Sequence, residues 1–193
     1  MRPILFSTDM VKAIMEGRKT VTRRLVKPQP REREENPHRL PSGNWFFDAP
    51  SLCFPGTIAA SVGPYRPPCQ PGDGLYVREA WHKDVGRYMY KANYAENERF
   101  FRNGKEVQIK WKPSIHMPKE AARIFLRVVD VRVERLKSIS ASQAMSEGVN
   151  DWNEFIALWN RTIKPADRSA YGWDANPWVW VIEFERCNKE AAG

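Results

Sequence analysis

The chain is expected to fold as an α+β protein: a small mixed β-barrel flanked by short helices and interrupted by two long insertions. Three observations point there. Runs rich in β-branched and aromatic residues recur along the whole chain without adjoining one another, while helical patterns are few and short. The longest β pattern, Ile124 to Leu136, changes phase. Ile124, Leu126 and Val128 keep one parity; Val129, Val131 and Val133 take the other. A β-bulge between Val128 and Val129 would produce that flip, and bulges bend strands around small barrels. There is no internal repeat, and 193 residues suffice for one core with insertions, so 1–193 reads as a single domain.

The elements follow in order. Arg2 to Phe6 reads as a first strand and Ser7 to Glu16 as a helix, with Ser7 or Thr8 as N-cap and Gly17 as its left-handed stop. Thr20 to Val26 is β-branched and reads as a strand. Residues 28–70 are dense in proline, including Pro28, Pro37, Pro50, Pro64 and Pro68. They form a meandering insertion with a short strand near Trp45-Phe46-Phe47. After the turn Pro71-Gly72-Asp73-Gly74, one strand runs from Leu75 to Trp81, and another covers Arg87 to Lys91. Residues 93–120 are the second insertion. Ser140 to Gln143 has the form of a capping box closed by Gly148, and Asp151 with Glu154 opens a helix. Its Phe155, Leu158, Trp159 and Ile163 make a core-facing stripe. The chain closes on an apolar strand from Trp178 to Glu185.

The most informative stretch is Gly17-Arg18-Lys19-Thr20-Val21-Thr22-Arg23-Arg24. On a strand, side chains alternate faces, so Thr20, Thr22 and Arg24 share one side with Lys19 at the turn that feeds it. A lysine, a hydroxyl and an arginine converging there bind an anion or perform acid/base chemistry. The same residues on a solvated edge strand do neither. The net charge of +8 draws the chain toward polyanions, of which nucleic acid is the commonest in a cytoplasm. Three widely spread cysteines (Cys53, Cys69, Cys187) fit a reducing compartment, and no Cys-x-x-Cys or His-x-x-x-His pair joins them to His82 or His116 in a metal site. No apolar run approaches the roughly 20 residues that span a bilayer, and Met1 to Asp9 holds too short an apolar core for a signal peptide. A cytoplasmic protein without metal, cofactor or membrane partner is the expectation.

Several motifs together carry a resemblance. Gly17-Arg18-Lys19-Thr20-x-Thr22-x-Arg24, Gly72-Asp73-x-Leu75-x-Val77-x-Glu79-x-Trp81, Ala144-x-x-Glu147-Gly148-Val149 and the terminal Trp180-Val-Ile-Glu-Phe184 look like the ASCH domain. With Lys112-Pro-Ser-Ile-His-Met-Pro118 included, the whole chain resembles the ASCH-domain proteins of bacteriophages and prophages. The resemblance implies a PUA-like β-barrel with a groove for RNA or a modified nucleobase. Small bacterial members of that family hydrolyse the amide of N4-acetylcytidine with a lysine, a threonine and a glutamate, which match Lys19, Thr22 and Glu147. Arg24 matches a family arginine. Other members resemble ribonucleases, so a ribonuclease or a non-catalytic RNA-binding module of the same fold is the alternative. The two insertions lie outside the minimal domain and inherit nothing from it.

Amide hydrolysis requires an activated nucleophile, a proton for the departing amine and stabilisation of the oxyanion. Lys19 serves as base when neutral, a state that burial and the neighbouring Arg18, Arg23 and Arg24 favour. Thr22 attacks or positions water, Glu147 relays the proton, and Arg24 or a backbone N–H holds the oxyanion. Structural alternatives stand beside each role: Lys19 as a phosphate anchor, Thr22 as an ordinary strand hydroxyl, Glu147 in a surface salt bridge. Arg18, Arg24, Glu79, Trp81 and His116 are the candidate substrate- or RNA-binding residues. Glu79 and Trp81 share parity on their expected strand, and Trp81 either stacks a base or fills core.

Overall fold

The computed structural model describes residues 1–31, 33–51 and 57–192. The strands are β1 (Arg2–Leu5), β2 (Val21–Leu25), β3 (Glu35–Arg39), β4 (Trp45–Pro50), β5 (Ile58–Tyr65), β6 (Gly74–Arg78), β7 (Trp81–Asp84), β8 (Arg87–Tyr90), β9 (Phe100–Arg102), β10 (Lys105–Val107), β11 (Phe125–Arg135) and β12 (Trp178–Cys187). The helices are α1 (Thr8–Met15), α2 (Ala141–Ser146), α3 (Trp152–Thr162) and α4 (Arg168–Tyr171). The chain is α+β, as expected. It folds as two compact units, each assembled from separate stretches of sequence.

The first unit comprises Met1–Thr20, Asp73–Arg127 and Glu185–Gly193. Here β1 pairs in parallel with β6, with Ile4 opposite Val77, and β6 pairs antiparallel with the first residues of β11. Helix α1 begins where the Ser7 hydroxyl accepts from the Met10 amide, and it buries Val11, Ala13 and Ile14. It stops at Gly17, whose φ of 78° an L side chain rarely adopts. The amides of Arg18 and Lys19 then donate back to the Ala13 carbonyl. Gly74 is required for a different reason: a Cβ there would lie 1.6 Å from the Ala192 carbonyl oxygen. The second insertion holds the hairpin β9–β10, closed by Asn103-Gly104 with positive φ at both residues.

The expected continuous strand from Leu75 to Trp81 is corrected. It breaks after Arg78, and Trp81 opens a separate hairpin, β7–β8. The cause is local. The Glu79 amide donates to the Met117 sulfur, its carboxylate is gripped by Arg123, and Trp81 turns into an exchange of backbone hydrogen bonds with Lys112. Glu79 and Trp81 therefore share no strand parity.

The second unit comprises Val21–Gly72 and Val128–Phe184. Strand β2 lies antiparallel to β12, with Thr22 opposite Ile182, Arg23 opposite Val181 and Arg24 opposite Trp180. One face of this pair carries Val21, Leu25, Val179 and Val181 into a core with Ala144 of α2 and Phe155 and Trp159 of α3. The predicted stripe on α3 thus faces core, and the buried Phe155 and Trp159 each contribute about 1.5–3 kcal/mol of apolar burial. Both helix starts form as expected: Ser140 and Gln143 make the reciprocal capping box, and Asp151 accepts from the Glu154 amide.

The first insertion departs from the expected meander. Its residues form the three-stranded antiparallel sheet β3–β4–β5. Phe47 of β4 meets Trp178 edge-on at 5.0 Å, and Trp45 meets Trp180 at 6.4 Å. The proline density marks the turns and an edge, while aromatic packing supplies the order. The phase flip in β11 is real, but Val129 is exposed and the buried parity resumes at Val131. No sheet closes into a barrel among the described residues: β1 pairs with β6 alone and β2 with β12 alone. No described helix is long and apolar enough to cross a membrane.

In the insertion sheet, Tyr65 donates its hydroxyl to the buried Glu34 carboxylate at 2.8 Å and meets Phe47 edge-on. Desolvation, reinforced by Glu34, pushes the Tyr65 phenol up to about 12. A native pKa above that of the unfolded chain means the unfolded state loses the proton first. Folding stability should therefore fall as pH rises from about 10 to 12. Urea unfolding at pH 9 and pH 11 should show this loss in the native sequence, with Tyr65→Phe removing part of it. An unchanged pH dependence in Tyr65→Phe would contradict the assignment.

Candidate functional site

The predicted residues divide between the two units, and each group has its own geometry. In the second unit, strand alternation gives β2 two working faces. Val21, Arg23 and Leu25 face the helices; Thr22 and Arg24 face the side on which Trp180 and Ile182 lie. Arg23 therefore enters an otherwise apolar face, and a guanidinium there demands carboxylates. It has them. Its NH1 donates to Glu147 Oε1 at 3.1 Å, its NH2 to Gln143 Oε1 at 3.2 Å, and Glu134 Oε2 lies 3.5 Å from NH2.

The helix α2 explains why Glu147 is available. The capping box fixes its start at Ser140, its C-cap is Glu147, and Gly148 (φ 87°) ends it. That places a carboxylate at the negative end of a helix, which is mildly unfavourable unless a cation answers it. Arg23 answers it in the buried interior: the two side chains are 1% and 4% exposed. Glu134 is shared with Arg132 at 2.5 Å, and Arg132 also pairs with Glu183. The result is a carboxylate–guanidinium chain running from α2 across β2 to β11 and β12.

Thr22 is 3% exposed. Its partner position on β12, Ile182, is also buried, and the insertion sheet seats Trp45 against Trp180 on that face. The first insertion thus walls the side carrying Thr22 and Arg24 with aromatic rings. Much of Arg24 is exposed, yet its guanidinium is crowded enough that desolvation lowers its pKa, with the Glu147 carboxylate opposing that shift. Arg24 and Glu147 accordingly feel one another across the unit, a coupling that the strand parity alone does not reveal.

In the first unit, Lys19 is 2% exposed, an uncommon state for lysine. Its amine lies 5.5 Å from the centroid of the Phe6 ring, within cation–π range. Arg18 is exposed and folds back onto Glu16 at 2.8 Å, as a surface pair would. Glu79 is buried and held bidentately by Arg123, at 2.8 and 2.9 Å. Trp81 is 6% exposed, packs with Met117 and Ala121, and has the Lys112 amine over its ring at 4.8 Å. That makes it a core residue, not an open stacking platform. His116 is exposed, on a short turn that buries Met117 behind it.

Sequence reasoning used Arg23 only as a source of positive potential. The signal for its larger part was present: it stands at the same parity as Val21 and Leu25, where an apolar residue is the rule. Among the described residues no cluster of three or more His, Cys, Asp or Glu side chains is placed to hold a metal. Cys53 lies outside the described residues. No family model, curated protein or solved structure matches the chain.

Removing one partner of a buried ion pair leaves the other charge uncompensated, at about 3–5 kcal/mol. Arg23→Met should lower unfolding stability by about that amount in urea titrations, whereas Arg18→Met should change it by less than about 0.5 kcal/mol. Equal effects would show that Arg23 is not the anchor of this unit.

Proposed function

We propose that the chain is an ASCH-type protein of PUA-like ancestry that takes RNA or a modified pyrimidine nucleoside and hydrolyses an amide on it, such as the acetyl group of N4-acetylcytidine. The observation that supports this best is the burial of polar groups at the three positions the motif resemblance assigns to chemistry. Lys19, Thr22 and Glu147 are 2%, 3% and 3% exposed. Lysine and glutamate are rarely buried without a specific reason.

In this reading, the resemblance makes Lys19 the base and Thr22 the nucleophile or the hydroxyl that positions water. The oxygen nucleophile adds to the acetyl carbonyl, and Arg24 or a backbone N–H takes the charge of the tetrahedral oxyanion. The C–N bond then breaks and the amine leaves with a proton relayed through Glu147. Attack by water gives acetate and cytidine directly, whereas attack by Thr22 leaves an acetyl-threonine ester that a second water hydrolyses to acetate. The Arg23 pair holds Glu147 in one orientation. The exposed face of Arg24 is the natural contact for the nucleotide.

One observation favours a second reading, a non-catalytic RNA-binding module. Glu147 is committed to Arg23, as a purely structural carboxylate would be. Incubation with N4-acetylcytidine, with free cytidine followed by chromatography, separates the two. The enzyme reading expects release that falls about 10²–10⁴-fold in Lys19→Ala, with the fold of the variant checked by circular dichroism. Absence of release from the native protein, with RNA binding retained, would favour the binding module. Cleavage of an RNA chain that 2′-deoxy substitution abolishes would identify a ribonuclease instead.

A further inference from the structure

Resting on the reading of the chain as an RNA-directed protein, we propose that the proline-rich first insertion builds a separate subsite for single-stranded RNA, at a cleft between the end of β2 and the end of β5. The cleft has a volume of about 410 Å³ and is lined by Lys27, Pro28, Val62, Gly63, Pro64, Tyr65 and Arg66. Its size falls within the usual range of ligand pockets. Two cations line it and no carboxylate does. By contrast, the cleft of about 350 Å³ in the second insertion carries Glu96, Glu98 and Glu106 in its lining, a poor setting for phosphate.

The lining is preorganised. Gln29 accepts from the Trp178 amide at 2.8 Å and donates to the Val26 and Trp178 carbonyls, which ties the Lys27–Pro28 segment to the start of β12. The Lys27 amine lies 5.6 Å from the centroid of the Tyr171 ring. Tyr65 is held at both ends of its ring: its hydroxyl donates to Glu34, and Phe47 meets it edge-on at 5.0 Å. Glu34 is itself occupied by that hydroxyl and by the Arg31 amide at 3.1 Å. Lys27 and Arg66 supply positive charge for phosphates, while Tyr65 and the two prolines supply flat apolar surface for a base or ribose. Basic groups alternating with an aromatic are the common design of single-strand binders.

The position of the cleft argues for a strand over a free nucleotide. Lys27 follows Arg24 by three residues, roughly 10 Å along extended chain, so the cations continue from the candidate site along the same stretch of backbone. A polynucleotide whose target base lies near Thr22 and Arg24 would lay a neighbouring nucleotide at Lys27, Tyr65 and Arg66.

The test is fluorescence anisotropy of a 5′-labelled twelve-nucleotide single-stranded RNA with the full chain, across 50–300 mM salt. The native protein should bind with a log–log salt slope that becomes shallower by about 0.7 for each phosphate contact removed. Lys27→Gln/Arg66→Gln should weaken binding at least tenfold at low salt and flatten the slope by about 1.4. Tyr65→Leu should weaken it roughly tenfold with the slope unchanged, and Tyr65→Phe should not weaken it. Lys105→Gln/Lys189→Gln removes two exposed cations outside the cleft and sets the effect of net charge alone. Equal losses in the cleft and control variants would overturn the proposal. So would unaltered binding in Lys27→Gln/Arg66→Gln, no binding by the native protein, or displacement of the RNA by cytidine 5′-monophosphate at matched nucleotide concentration. Binding is read without turnover, so loss of the subsite and failure of the amidohydrolase reading give different results.

Discussion

The guanidinium of Arg23 constrains the second unit more than any other group. It enters a strand face that is otherwise valine and leucine. A buried charge of this kind is tolerated only with carboxylates in place, and Glu147 and Glu134 are in place. Their positions depend on features far apart in sequence. The capping box at Ser140 and the stop at Gly148 set where α2 delivers Glu147. The burial parity of β11 sets where Glu134 emerges, and the register of β2 on β12 sets Arg23 opposite Val181. A shift of one residue in that register would turn Arg23 to the Thr22 face and away from both carboxylates.

Burying such a cluster brings little net stability, since desolvation offsets most of the attraction; apolar side chains of similar size often do as well or better. The first unit repeats the pattern with Glu79 and Arg123, a buried carboxylate held by two short hydrogen bonds. Stability in the second unit comes instead from Phe155, Trp159 and the valines on one face and from the aromatic contacts of Trp45 and Phe47 with Trp180 and Trp178 on the other. The first insertion therefore does structural duty for the sheet it covers. It also bounds the surroundings of Thr22 and Arg24.

Local signals were read well from the sequence because local physics decides them. Ser7, Ser140 and Asp151 cap helices, Gly17 and Gly148 end them, and the Phe155 stripe faces core. What depended on distant partners was misread or invisible. The insertion sheet is seated because β4 meets two tryptophans more than 100 residues downstream, and no window of sequence near Trp45 contains them. The strand break at Glu79 depends on Met117 and Arg123, equally remote. For the site, Lys19, Thr22 and Glu147 are buried, Trp81 packs in core and Arg18 forms a surface pair. Arg23 was legible in principle, as a charge at an apolar parity, but its meaning required Glu147 to be seen beside it.

If the Arg23–Glu147 pair is kept for chemistry at the cost of stability, removing it whole should separate the two properties. The direct measurement compares urea unfolding and cytidine release from N4-acetylcytidine in Arg23→Leu/Glu147→Leu and in each single variant; Glu134 retains Arg132 in all of them. The expected result is that the double variant recovers at least about 2 kcal/mol relative to the single variants while release stays lost. A double variant that releases cytidine at the native rate would contradict the account, because the pair would then be structural alone.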